Sequence, residues 1–155
     1  MRKVSHRLCI ALVALVSISC NKEASTPTII GTWRLDSVIT EVTEHTPDGI
    51  YERNVEYNPN EVYLSITEEY AMIGVKADTK CSYVYNPDIK KISFSGTLYG
   101  FNKDNISVRL GKETYSVIEL TKRNLVLQGE SYIMQVGVYG GYQNVYRHTF
   151  YFSKQ

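Results

Sequence analysis

The stretch "TIIGTWRLDSVI", Thr28 to Ile39, is where the fold of this chain begins to be readable. Glycine and threonine precede the single tryptophan. From Trp33 onward, Trp33, Leu35, Ser37 and Ile39 fall on one side of an extended chain, with Arg34, Asp36 and Val38 on the other. Alternation of this kind, rich in β-branched and aromatic residues, predicts a half-buried strand. The same period of two returns in Val62–Thr67, Tyr70–Lys76, Lys80–Asn86, Lys90–Gly96, Glu113–Leu120, Asn124–Val138 and Gln143–Ser153. That makes eight strands, with Ile50–Tyr57 as a further strand or a lid. No helical period is sustained over ten residues.

The links between strands order them. Glu68-Glu69, Pro87-Asp88-Ile89 and Thr121-Lys122-Arg123 are of hairpin length and hold turn residues. Two alternate links are long, Thr40–Glu61 and Thr97–Lys112. In an up-and-down meander, odd and even connections lie at opposite ends. Tight turns therefore gather at one end and long loops at the other, which predicts an all-β, antiparallel eight-stranded barrel with a closed floor and a looped rim.

The N-terminus has a different character. Arg2, Lys3 and Arg7 precede an apolar run of eleven residues, Leu8–Ile18. A spanning helix needs ~20 residues, so this run suits an export signal. Ser19-Cys20 then resembles the lipobox of bacterial lipoproteins, with Ser17 where that family favours leucine. The resemblance implies cleavage before Cys20 and lipid on it. Asn21-Lys22-Glu23 is similar to the signal that sends Bacteroidetes lipoproteins to the cell surface, which implies an outer-membrane, surface-facing location. The resulting division is 1–19 signal, 20–29 lipidated cysteine and flexible spacer, and 30–155 barrel domain. An ordinary secretory signal with an incidental cysteine is the alternative.

Loss of Arg2, Lys3 and Arg7 lowers the formal charge from +1 by three, to −2. With no basic cluster, the composition argues against nucleic acid as a partner. Cys9 leaves with the signal and Cys20 takes lipid, so Cys81 is the one remaining thiol. Neither an intrachain disulfide nor a cysteine-rich zinc site is then available. Cys81 reads as a small buried apolar residue.

Gly31-Thr32-Trp33 resembles the Gly-x-Trp signature of lipocalins. The hairpin Tyr115–Thr121 with Asn124–Leu127 is similar to one in short lipocalin-like domains of Bacteroidetes lipoproteins. The resemblance covers about 32–153. It implies a floor in which a basic residue covers Trp33; Lys154, Arg123 and Lys122 are the candidates. Arg147 lies seven residues before Lys154, roughly 23 Å up the strand, too far to serve.

No catalytic motif stands out: the chain lacks a His-Glu-x-x-His, a nucleophile elbow and a phosphate-binding glycine loop. Of the histidines, His45 and His148 survive processing. His45 falls in a Thr- and Glu-rich loop and reads as solvated. If Phe150 and Phe152 point inward, Tyr146 and His148 do so too. An eight-stranded barrel either fills its interior or holds one small ligand. The expected function is accordingly non-catalytic binding of a small, partly apolar molecule in the cup, through Tyr83, Tyr85, Phe94, Tyr146 and His148. No cofactor or metal is expected. The alternative is a filled barrel that meets a protein or glycan through rim aromatics Tyr99, Phe101, Tyr139 and Tyr142. An enzyme would need an inward carboxylate within hydrogen-bond reach of His148.

Overall fold

The computed structural model describes residues 26–59, 61–74, 80–101, 107–137 and 140–155, and side chains throughout them except at 100–101, 107, 132–137 and 140–143. The signal, Cys20 and Tyr139 lie outside the described residues. The strands are β1 (Gly31–Thr46), β2 (Gly49–Tyr57), β3 (Tyr63–Ile66), β4 (Ala71–Ile73), β5 (Lys80–Cys81) and β6 (Tyr83–Asn86). They continue with β7 (Lys91–Phe94), β8 (Leu98–Phe101), β9 (Ser107–Leu110), β10 (Thr114–Leu120), β11 (Asn124–Gly137) and β12 (Gly140–Lys154). The described residues contain no helix.

Strand neighbours run β5-β4-β3-β1-β12-β11-β10-β7-β6, all antiparallel. β5 and β6 are one descending run broken at Ser82, whose carbonyl still accepts from Ser95 N at 2.9 Å. Counted as one, they bring the circuit to eight positions in chain order, and the sheet curls into a nearly closed barrel of lipocalin-like type. Alternation alone predicts these eight.

Each tight turn at the closed end starts from a side chain that folds back on its own backbone. Thr67 Oγ1 accepts from Tyr70 N (3.1 Å), Asn86 Oδ1 from Asp88 N (3.0 Å), and Thr121 Oγ1 from Asn124 N (2.9 Å). Such local bonds stop the strand and reverse the chain. At the same end Trp33 is fully buried, and its indole N–H donates to Ile29 O at 2.8 Å. Lys154 Nζ sits 4.2 Å from the centre of the tryptophan ring and donates to Ile30 O at 2.6 Å. Arg123 is exposed; it contributes its carbonyl, which accepts from Lys154 N at 2.7 Å. Lys154 is therefore the floor cation, and Arg123 helps to position its backbone.

Gly31 makes this possible. Its φ is +144°, and a Cβ there would lie 2.2 Å from Lys154 Nζ. The glycine of Gly-x-Trp is thus the space through which the lysine reaches the ring.

Three features differ from the sequence expectation. A β-bulge between Leu35 and Ser37 shifts the register against β12, so Trp33 and Leu35 face inward but then Val38 and Val42 do. Ile39 consequently leaves the inward face, because a one-residue slip exchanges the two sides. The long link after the first strand is itself a hairpin: β1 runs on to Thr46 and β2 returns beside it, Val38 opposite Tyr57. β2 and β3 thus share one edge of β1, end to end. With β11 and β12, this makes a four-stranded arm that outruns the barrel.

The second long link is the hairpin β8–β9. Leu98, Val108 and Leu110 are fully buried and join the same core as Trp33, Ile92 and Phe94. Tyr99 and Arg109 occupy the opposite face, the guanidinium carbon 6.0 Å from the ring centre. The hairpin leaves the top of β7 and enters the top of β10, so it plugs the mouth, apolar face down. The described inward side chains of the barrel and of this hairpin form one continuous buried cluster.

Gly31→Ala should lower stability by about 1–3 kcal/mol, through strain at a left-handed φ and displacement of Lys154. Lys154→Ala should cost about 0.5–2 kcal/mol. Urea unfolding followed by tryptophan fluorescence reads both, and additive effects in the double variant would show that the two residues act independently.

Candidate functional site

The inward face of β12 carries an aromatic ladder. Ring centres of Phe152, Phe150, His148 and Tyr146 are successively 6.4, 6.3 and 6.5 Å apart, the last pair 11° from parallel. The two phenylalanines are buried, whereas His148 and Tyr146 are half-buried. The ladder therefore starts in the core and emerges at the mouth.

Glycine lies beside it. Gly129 on β11 pairs with His148, and a Cβ at Gly129 would come within 2.6 Å of Tyr115 Cε1. The tyrosine ring lies flush on that bare backbone. It meets Phe94 and Phe150 edge to face, with centres 5.9 and 6.0 Å apart. Its hydroxyl accepts from Gly111 N at 2.8 Å. Burial first, and the charge of Glu113 second, push its pKa up to about 12. Tyr115 is a neutral partition: below it is packed core, above it is open space.

That space is a recess of about 290 Å³. Tyr57 from β2, Arg109 from β9, Gly111 and Glu113 from the following link, Tyr115 from β10, Ser131 from β11, and His148 and Phe150 from β12 line it. Burial pushes the Tyr57 phenol up. His148 bridges two hydroxyls, Thr40 Oγ1 at 3.0 Å from Nδ1 and Ser131 Oγ at 3.2 Å from Nε2. Burial lowers its pKa, and the charge of Glu113 opposes this through space. The ring is therefore neutral at pH 7, donating from one nitrogen and accepting at the other, with both hydroxyls free to choose either role. No carboxylate is hydrogen-bonded to it among the described residues.

Of the five residues expected to line a cup, His148 lies in the recess and Tyr146 stacks beside it. Phe94 is buried in the core, and Tyr83 and Tyr85 pack partly against it. Tyr83 donates its hydroxyl to Thr67 O at 2.6 Å, at the closed end. None of these three lines the recess. Tyr99 is exposed under Arg109. Phe101 and Tyr142 are placed in β8 and β12, but their side chains lie outside those described. Cys81 is buried. His45 stands in β1 rather than a loop, its N–H bonded to Asn144 Oδ1 at 3.0 Å.

Sequence reasoning missed Arg109, Gly111, Glu113, Tyr115, Ser131 and the recess role of Phe150. The inward alternation of β12 pointed to one wall; the facing wall depends on a hairpin that looked like loop. The convex side of the arm is solvated and ion-paired: Arg147 contacts Glu130 at 2.8 Å and Glu41 at 3.1 Å. Exposed pairs of this kind add little stability. Among the described residues, no group of three or more His, Cys, Asp or Glu side chains is placed to hold a metal ion.

Comparison with family models, curated proteins and solved structures finds no match to this chain.

The lowered pKa of His148 sets a pH dependence. Below 6.5, its ordinary value, the unfolded chain binds the proton more readily than the folded one, so stability falls as pH drops through the folded-state pKa and is regained above 6.5. His148→Gln should flatten this part of the curve. Urea unfolding at pH 7.5 and pH 5 reads the difference, and an identical acid loss in the variant would assign it to other groups.

Proposed function

We propose that this chain is an exported lipoprotein, anchored through Cys20, whose lipocalin-like barrel captures a small, partly apolar molecule at its mouth without chemistry. The observation that carries this reading is the recess above Tyr115, where aromatic surface and a few polar groups from five strands and the link before β10 converge. Binding sites are concave, mostly apolar and furnished with a few placed polar groups. At about 290 Å³ the recess is just below the ~300–1,000 Å³ range of drug-sized ligands, so its occupant is small.

The anchor and the recess fit one arrangement. The spacer joins the barrel beside Trp33, at the closed end, and β1 runs from there towards the arm. Lipid on Cys20 would hold that end against the outer membrane and leave the mouth facing away. The ligand-binding residues of this reading are Tyr57, Tyr115, Ser131, His148 and Phe150, with Tyr146 as a neighbour.

A second reading rests on a different surface. β2 exposes Ile50, Tyr51 and Val55, at 64%, 55% and 41%, along the edge of the arm. Apolar side chains on an open strand suit contact with a surface protein or glycan.

Native mass spectrometry of the Cys20→Ala chain, purified gently from its own cells, separates the two. A bound mass that is lost on denaturation, and absent from Ser131→Phe, supports mouth capture. A mass that persists in Ser131→Phe and disappears in Tyr51→Ala moves the function to the arm. The same Cys20→Ala chain should leave the membrane fraction, and continued membrane partitioning would contradict the anchor.

A further inference from the structure

We propose that the recess is built for a small zwitterion of the α-amino-acid type, its ammonium group on Glu113 and its carboxylate on Arg109; this deepens, and rests on, the reading of mouth capture. The two side chains line the same recess from one short segment, four residues apart. The bond from Gly111 N to the Tyr115 hydroxyl fixes that segment midway between them. Elsewhere on the surface, neighbouring opposite charges are joined: Arg34 with Asp36 at 2.9 Å, Arg53 with Glu44 at 2.8 Å, Arg147 with Glu130 at 2.8 Å. Among the described residues, no ion pair joins Arg109 or Glu113 to each other or to a third group.

Their surroundings suit opposite ends of one molecule. Arg109 lies over Tyr99, its guanidinium carbon 6.0 Å from the ring centre, a contact that occupies none of the N–H donors a carboxylate would use. Glu113 belongs to a recess walled by Tyr57, Tyr115 and Phe150, and aromatic walls with one carboxylate favour an ammonium group. His148 on β12 and Ser131 on β11, which line the same recess, are neutral and hydrogen-bonded, so they do not cancel the charge of Glu113; Arg109 on β9 is the cation that shares the recess with it. A simple anion would meet Glu113 and a simple amine would meet Arg109. A zwitterion satisfies both, with its side chain on the aromatic wall.

The test uses the full chain in detergent and isothermal titration with the natural α-amino acids, each beside its carboxamide and its N-acetyl derivative. The proposal expects at least one amino acid to bind tenfold or more tightly than either counterpart. Arg109→Gln should reduce it to the affinity of the carboxamide and leave the carboxamide unchanged. Glu113→Gln should reduce it to the affinity of the N-acetyl derivative. Counterparts that bind as well as the parent, variants that keep the preference, or no amino acid binding at millimolar concentration would each overturn the proposal. A bound mass removed by Ser131→Phe, but lacking either charge, would overturn it while leaving mouth capture intact. The absence of any bound mass and of any titration would remove both.

Discussion

The last strand meets the first where Lys154 passes over Trp33, and the remaining architecture is referred to that contact. The ammonium is partly withdrawn from water, which lowers its pKa, and the ring face and Ile30 carbonyl replace that hydration. The contact needs a residue without a side chain at 31. It also fixes register: Trp33 opposite Lys154 sets Leu35 opposite Phe152 and, past the bulge, Thr40 opposite His148. A shift of one residue would turn the whole ladder of β12 outward. Closure at the floor thus determines which side chains reach the mouth.

Above the floor the barrel divides into three levels. The lowest is a continuous packed core that runs from Trp33 to Phe94. The hairpin β8–β9 adds Leu98, Val108 and Leu110 as a stopper, a role that suits a short pair of strands too small to be stable alone. The third level is the recess, separated from the core by Tyr115 seated on Gly129. This arrangement changes where a lipocalin-like barrel would bind: beside its stopper rather than within its wall. Fold alone does not assign the function, which rests on the chemistry of this site.

Much of the barrel was legible in the sequence because strand alternation and turn chemistry are local. Thr67, Asn86 and Thr121 mark three reversals by their own side chains, and the inward run of β12 followed from period two. The lipocalin resemblance offered Lys154, Arg123 and Lys122 as the cation over Trp33, and residue counting argued only against Arg147; the choice of Lys154 came from the structure. What escaped was non-local. The bulge after Leu35 depends on how β12 packs against β1, and the polar alternation of Glu41–Thr46 concealed the continuation of β1. Leu98, Val108 and Leu110 form one buried face only when paired across a hairpin, so Arg109 and Glu113 had no visible place beside His148. Phe94 looked like cup lining because alternation gives a direction, inward, but not whether the interior is full.

The most direct test of the account is where a captured molecule sits. Hydrogen–deuterium exchange of the full chain, with and without the small-molecule fraction of its own cells, reads this at the backbone. The account predicts added protection in Arg109–Tyr115 and Gly129–Ser131, two of the segments that border the recess, with the far part of β2, Ile50–Val55, unchanged. Protection confined to Ile50–Val55, or to the β6–β7 wall around Tyr83 and Phe94, would contradict capture at the mouth.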